Sequence, residues 1–478
     1  MTPLTALLDL ANERVGGCVL AASDDFFAEK ENLIKPADPV FVSGKYTDRG
    51  KWMDGWESRR KRTPGHDWAI LRLGVPGVVR IVVVDTSFFT GNYPERCSIE
   101  GCDASGNTPV EDLTGWIELL PKVALSGDSK NLFEVSSPRR FTHLRLNIFP
   151  DGGVARLRVQ GMALPDFHVL GRDIDLAAAE YGGSVVDVSD RHYGNPNNLI
   201  MPGRAADMSD GWETRRRRGP GHDWVILRLA AEGVIERVEV DTSHFKGNYP
   251  DAGSLEISAT AAEESWTELL PRTKLKAHTQ HIFRDELAVK GPARFVRFSI
   301  FPDGGVSRLR LYGAMTECGC IETRLAGFNA AGIETAITEL TRCCGSPNWA
   351  ARMEGSRPFA SLAEMENAAD RLWAACAKED WLAAFAAHPK IGQRSGSKWS
   401  QEEQSGAGDV PSEMAERNRE YEEKFGYIFI VCATGKTAQE MLGLLKQRLA
   451  NDPADEIRNA AEQQRLITRL RLRKLLTE

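Results

Sequence analysis

Polarity alternates with a period of two over residues 80–85 (RIVVVD), 144–148 (LRLNI) and 156–159 (RLRV), and again over 237–241 (RVEVD), 296–300 (VRFSI) and 308–311 (RLRL). Successive side chains of a strand point to opposite faces, so this alternation predicts short strands with one apolar face, joined by loops where Gly, Pro, Asn and Asp gather. After Leu325 the period lengthens. Apolar residues recur three and four apart at Ala336, Ile337 and Leu340, at Leu362, Met365, Ala369 and Leu372, and at Met441, Leu444, Leu445 and Leu449, which predicts amphipathic helices. Asp452 before Pro453 marks a further helix start, Asp as cap and Pro at the first helical position. Residues 424–433 (KFGYIFIVCA) read instead as a buried extended segment. Many short strands with few helix-length segments favour antiparallel sandwiches of jelly-roll type in the first two-thirds, with recognition residues on loops at the strand ends. The last third reads as all-α.

The strand-rich part is written twice. Residues 54–68 (DGWESRRKRTPGHDW) return as 210–224 (DGWETRRRRGPGHDW), differing only at Ser58/Thr214, Lys61/Arg217 and Thr63/Gly219. Blocks 84–87 (VDTS) and 91–94 (GNYP) return at 240–243 and 247–250, 149–154 (FPDGGV) at 301–306, 32–34 (NLI) at 198–200, and 9–11 (DLA) at 175–177. A shift of 156 residues for the first block (54 to 210) is several times a solenoid period and indicates a duplicated domain. The expected organisation is a first repeat over 1–170, a second over 171–318, a linker at 319–326 and a helical domain over 327–478.

Charge and cysteine content narrow the class. The 478 residues carry a net charge of -7 with both signs abundant, which gives no general nucleic-acid footprint and suits work on small molecules. The start, MTPLT, has no basic n-region, and no apolar run reaches the length of a membrane helix, so neither a signal nor a span is expected and the cytoplasm is the default. Nine cysteines are an odd number in a chain too large to need staples, and read as reduced thiols. Cys318, Cys320, Cys343 and Cys344 match no zinc spacing and have no histidine between them, so no metal is expected. No phosphate loop, dinucleotide fingerprint or nucleophilic Lys motif is present, and no cofactor is expected.

Each copy of the Asp-Gly-Trp-Glu block packs a carboxylate, a basic run, Gly, His and Asp into one loop. Such a loop suits an anion held by Arg forks, with His and a carboxylate nearby for proton transfer. Its plainer reading is a solvated basic run, Arg59 to Arg62, beside turn residues His66 and Asp67. Duplication does not separate the two, because related copies share their scaffold whether or not both are active. The differences are more telling: Phe26 and Phe88 of the first copy stand where the second has His192 and His244. That favours the second copy, with His192, His222 and His244, as the one bearing chemistry.

In order along the chain, DLANERVGG, SDDFFAEKENLI, GKWMDGWESRR, GHDWAILRLG and VDTSFFTGNYP, followed by MSDGWETRRRRGPGHDWVILRL and VDTSHFKGNYP, resemble the allantoicase family over about residues 7–316. The resemblance implies two galactose-binding-like jelly rolls and hydrolysis of allantoate to ureidoglycolate and urea. Allantoate carries a carboxylate and two ureido groups on one carbon. Its cleavage needs an Arg for the carboxylate, an acid for the departing urea and a base for water. His222 and His244 as catalytic groups, with Arg216, Asp223 and Glu213 on the substrate, supply those types in the second copy. Arg60, His66 and Glu57 are their counterparts in the first.

In the helical third, His388 is the only one of nine histidines beyond residue 281, and Pro389 holds it in extended geometry where a helix ends. A Gly/Ser-rich loop leads to 400–404 (SQEEQ), whose Ser-x-x-Glu by itself reads as a capping box. The basic run Arg465, Arg469, Arg471, Arg473 and Lys474 by itself suits a helix C-terminus. Taken with 357–361 (RPFAS), 421–426 (YEEKFG), 448–451 (RLAN) and 470–472 (LRL), these pieces resemble the decarboxylase of 2-oxo-4-hydroxy-4-carboxy-5-ureidoimidazoline (OHCU) over about residues 326–476. The resemblance implies His388 as acid/base with Glu403 as its partner, and (S)-allantoin as product. It also places Pro389, Ser400, Gln401, Glu402, Gln404, Arg471 and the backbone of Phe429, Ile430, Val431, Cys432 and Ala433 around the ureido and ring groups. HPKIG at 388–392 departs from the commoner HPDLAG.

Together the two resemblances imply a bifunctional enzyme of urate breakdown with small-molecule substrates, no nucleic acid, no membrane, and assembly as a homo-oligomer. The alternative is that the jelly rolls are non-catalytic binding modules attached to a single decarboxylase, since fold does not fix function. Urea release from allantoate separates the two.

Overall fold

Each repeat is organised by one very long strand. The computed structural model describes residues 7–166, 173–261, 266–288, 290–388 and 412–477. The main strands of the first repeat are β1 (Leu8–Asp9), β2 (Cys18–Ala22), β3 (Asp67–Asp85), β4 (Arg96–Cys102), β5 (Ile117–Ala124), β6 (Lys130–Glu134), β7 (Arg140–Phe149) and β8 (Arg156–Ala163). They are antiparallel in the order β1-β8-β3-β7-β4-β5, with β2 and β6 also on β3. The second repeat has β9 (Ile174–Asp175), β10 (Ser184–Val188), β11 (Asp223–Asp241), β12 (Ala252–Ser258), β13 (Thr267–Lys274), β14 (Gln280–Phe283), β15 (Pro292–Phe301) and β16 (Arg308–Met315). Their order is the same, β9-β16-β11-β15-β12-β13, with β10 and β14 on β11.

Strand β3 is 19 residues long, as is β11. Residues 67–72 pair with β7 and, from 69, with β2; past the corner β7 reaches only 77–78, and residues 77–85 pair with β8 and, from 81, with β6. One strand therefore runs out in one layer of the sandwich, bends, and returns in the other. The expectation of uniformly short strands is corrected here: 80–85 is the second half of β3. Residues 74–77 (GVPG) look like a strand end, but Gly inside a strand also marks a tight bend. A Cβ on Gly77 would stand 2.3 Å from the Met162 carbonyl oxygen, and Gly233 keeps the same corner in β11, where a Cβ would meet Leu176 at 2.6 Å.

The bend brings both ends of each long strand to one pole. Asp67 N–H donates to the Pro150 carbonyl at 3.1 Å and Ala155 N–H to the Asp85 carbonyl at 2.7 Å, so residues 150–155 join the two ends. Ser58 N–H reaches the Gly152 carbonyl at 3.2 Å and Gly153 N–H the Asn92 carbonyl at 2.7 Å. The second copy repeats these bonds at Thr214 to Gly304, Gly305 to Asn248 and Ser307 to Asp241. The recurring blocks 54–68, 84–94 and 149–154 thus meet at one pole, as do their second-copy counterparts. Beneath them Trp56 and Trp212 are fully buried, their indole N–H groups donating to the carbonyls of Asp24 (2.8 Å) and Asp190 (2.9 Å).

Helix α1 (Glu317–Ala330) packs on β11 and belongs with the β-rich unit, which ends at Ala330. Residues 319–326, expected as a linker, lie inside it. Thr316 caps the helix, its Oγ1 accepting from Gly319 N–H at 3.1 Å, and Gly319 permits close approach to the Glu232 backbone. The unit from Ala331 contains α2 (Ile333–Cys344), α3 (Pro347–Glu354), α4 (Leu362–Ala374), α5 (Lys378–Ala386), α6 (Ser412–Phe425), α7 (Ala438–Arg448) and α8 (Pro453–Thr477). Ser346, Ser361 and Thr437 cap α3, α4 and α7 with side-chain oxygens. Residues 429–433 are buried without regular structure. No helix among the described residues is long and apolar enough to cross a membrane.

Candidate functional site

In the helical unit the site is built between the end of α5 and one face of α8. His388 N–H donates to the Phe385 carbonyl at 3.1 Å, closing α5 and turning the ring inward. Its Nε2 is buried with no hydrogen-bond partner among the described residues. Burial pushes the imidazole pKa down to about 4, the Arg471 guanidinium adds to that, and Gln464 opposes it. Gln464, Thr468 and Arg471 are all buried on α8, spaced so that they share one face. Gln464 Nε2 donates to the Cys344 carbonyl at 3.3 Å and to Thr468 Oγ1 at 3.2 Å. The result is a neutral imidazole beside a buried cation, a setting that favours an anionic ligand. The adjacent Cys344 thiol is pushed up to about 12 by burial, so it is not a nucleophile.

The segment Phe429 to Ala433 is held by a buried polar network. Arg448 Nη1 donates to the Ile430 carbonyl at 2.7 Å and Nε to Glu456 Oε1 at 2.7 Å. Tyr421 OH donates to the same Glu456 oxygen, and Asn451 Nδ2 to Oε2 at 2.6 Å. Cys432 N–H donates to Gln463 Oε1 at 3.0 Å, while its carbonyl accepts from Lys436 Nζ at 2.8 Å. Part of the backbone assigned by resemblance to substrate is therefore engaged by the protein. The YEEKFG and RLAN blocks act as the frame of this segment. Pro389, Ser400, Gln401, Glu402, Glu403 and Gln404 lie outside the described residues.

The β-rich unit carries a matching cluster in each copy. In the second, the His222 ring lies 4.6 Å from the Phe301 ring, centroid to centroid, and the Arg272 guanidinium stands 4.1 Å from the same ring. Arg297 pairs across strands with Glu256 at 2.6 Å, and Arg217 pairs with Asp223, which also accepts from Ser189 Oγ at 3.1 Å. Burial lowers the His222 pKa; Arg217 and Arg297 add to the shift, Asp223 and Glu256 oppose it. The first copy aligns His66, Phe149, Lys122, Arg145 and Glu100 in the same way. One contact differs. His66 Nε2 lies 3.3 Å from Asn147 Oδ1, but Ser299 stands at that place in the second copy and the His222 ring makes no hydrogen bond among the described residues.

The basic run resolves into two kinds of residue. Arg59 and Lys61 pair with Asp24 and Asp67, as Arg215 and Arg217 pair with Asp190 and Asp223. Arg60 and Arg216 are exposed and form no ion pair among the described residues. Glu57 and Glu213 accept from Asn92 (2.7 Å) and Asn248 (2.5 Å), and burial raises the Glu57 pKa. His244 sits beyond the far end of β11 in left-handed backbone (φ 70°), its Nε2 3.0 Å from the Ala205 carbonyl and its N–H on His278 Nδ1 at 2.8 Å. No hydrogen bond among the described residues joins it to His222 or Glu213. His192 is exposed, with its ring against Tyr193. Sequence reasoning missed Arg272, Glu256 and Arg297, which meet only through strand pairing. It also missed Gln464 and Thr468, whose signal was polar spacing along the face of Arg471.

A duplicated sandwich with an imidazole–guanidinium cluster in each copy, followed by a helical unit with a buried His–Arg site of its own, defines a two-part metabolic enzyme. Residues 8–164 and 174–316 match the allantoicase repeat family, and residues 329–473 match the OHCU decarboxylase family. A probable allantoicase of Pseudomonas aeruginosa (strain UCBPP-PA14) is 50% identical over 323 residues, spanning 65% of this chain and 97% of that protein. A probable allantoicase of Burkholderia mallei (strain ATCC 23344) is 49% identical over 319 residues, 64% of this chain and 94% of that one. The crystal structure of allantoicase from Saccharomyces cerevisiae aligns with a TM-score of 0.56 and 35% identity, covering 64% of this chain and 93% of that one. The chain belongs to the allantoicase family and carries an OHCU decarboxylase domain after the second repeat.

Proposed function

We propose that the β-rich unit hydrolyses allantoate to ureidoglycolate and urea and that the helical unit, within residues 327–478, decarboxylates OHCU to (S)-allantoin. The observation carrying this reading is that each part presents a partly or wholly buried imidazole with a lowered pKa beside guanidinium groups. Both substrates are small carboxylates, which such a pairing attracts.

In the β-rich unit, Arg216 or the Arg217–Arg297 group takes the carboxylate. Water adds to the central carbon as the C–N bond to urea breaks, His222 accepting the water proton while the urea nitrogen gains one. Neutral imidazole is the form that accepts, which its lowered pKa supports. In the helical unit, Arg471 faces the carboxylate. Loss of CO2 leaves the electron pair on the adjacent conjugated ring, and one proton must then be placed on carbon. His388 holds that proton, because a substrate anion beside it offsets Arg471 and raises its affinity for H+.

Purified full-length protein is tested for urea release from allantoate and for CO2 release from OHCU, with His388→Ala alongside. Urea release unchanged and CO2 release lost supports the reading. Absent urea release from folded protein returns the sandwiches to a binding role. A cytoplasmic homo-oligomer completes the reading; sedimentation of the purified chain as a monomer overturns that part.

A further inference from the structure

The amide of Gln464 has a fixed orientation. Its Nε2 donates to the Cys344 carbonyl at 3.3 Å, and a carbonyl only accepts, so the amide nitrogen must face that way. The same nitrogen reaches Thr468 Oγ1 at 3.2 Å. The amide oxygen is thereby turned to the other side, where it is buried with no hydrogen-bond partner among the described residues. His388 Nε2 is likewise buried without a partner among the described residues. Gln464 is fully buried, and its anchor Cys344 adjoins Gly345, where a Cβ would stand 2.6 Å from the Cβ of Ala387, the residue before His388. Unpaired buried polar atoms are costly, and two complementary ones in one region are resolved at least cost by pairing with each other.

We propose that Gln464 is a positioning residue for His388: its amide oxygen accepts from Nε2–H, which fixes the tautomer and leaves the Nδ1 lone pair for the reaction. The inference rests on the reading of His388 as the proton-handling group. Thr468 and the Cys344 carbonyl hold the amide, the amide holds the ring, and the charge of Arg471, about two turns further along α8, acts on the same imidazole. Gln464 itself touches no substrate in this scheme.

The test uses full-length protein with 15N-labelled histidine. Two-bond 1H–15N spectra near neutral pH are expected to show His388, identified by its loss in His388→Ala, as the Nε2–H tautomer. In Gln464→Leu, which keeps the volume, the signal moves toward a mixture of tautomers and kcat for CO2 release falls about tenfold with KM little changed, the loss of one orienting hydrogen bond. Gln464→Glu retains an acceptor and restores the Nε2–H form, with the acid limb of the pH–rate profile moved upward. An Nδ1–H tautomer in the parent protein, or an unchanged tautomer in Gln464→Leu, overturns the inference. A tautomer that responds to Gln464 while His388→Ala keeps full decarboxylation overturns instead the catalytic reading of His388. If Gln464→Leu does not fold, Gln464→Glu and the parent spectrum decide.

Discussion

Arg448 and Glu456 form a buried ion pair, Nη2 to Oε1 at 2.5 Å, and Arg448 also holds the carbonyl of Ile430 at 2.7 Å. A buried charge that loses its partner keeps its desolvation cost. Glu456→Ala therefore lowers the stability of the helical unit by about 3–5 kcal/mol in urea denaturation. Because the pair anchors the 429–433 segment, CO2 release falls with it, while urea release is retained. Stability within about 1 kcal/mol of the parent contradicts the structural role.

The acid response of the helical unit has a defined sign. His388 in the folded chain titrates at about 4, below the ordinary histidine value of about 6.5, so the unfolded chain takes up the proton first. The stability contributed by the neutral ring is complete above about pH 6.5 and is lost as pH falls through 4, with an upper limit of about 3 kcal/mol. Denaturant titrations across this window are expected to show the slope. His388→Asn, which does not titrate, is expected to flatten it.

Replacing His222 by Ala lowers kcat for urea release by about a hundredfold or more, the usual worth of a proton-transferring side chain. His66→Ala has the smaller effect, because its ring is already engaged by Asn147. Full activity in both variants removes these rings from the mechanism, and a larger loss in His66→Ala assigns the reaction to the first copy.

A methyl group at Gly153 stands 1.9 Å from the Phe89 ring, and one at Gly305 stands 2.0 Å from Phe245. Both rings are fully buried and have no room to retreat. Gly153→Ala and Gly305→Ala each cost about 1–3 kcal/mol by overpacking, read as a lowered Tm of the β-rich unit. Adding Phe89→Leu to the first recovers part of the loss; no recovery shows that backbone strain dominates.

Much of the architecture was legible because two periods, 2 and 3.6, separate the sandwiches from the helices, and because the repeated loops carry the strongest identity. The sequence concealed what depends on bending and pairing. Residues 74–77 read as a stop because Gly and Pro interrupt the alternation, yet they are where β3 turns between layers. The linker at 319–326 is a helix because Thr316 caps it. His388 and Arg471 stood out by rarity and motif, and the Arg471 charge helps to lower the His388 pKa. Gln464 is an ordinary helix residue until the fold buries it. Glu256 and Arg297 are 41 residues apart and become neighbours only through the register of β12 and β15.

The shared strands also govern how each sandwich opens. A layer held by its own strands can detach while its neighbour persists, giving two opening free energies in hydrogen exchange. Here β3 and β11 each contribute ladder bonds to both layers, so freeing either layer pulls on the centre of the other. Amides in the two halves of each long strand should exchange together, as a single cooperative unit.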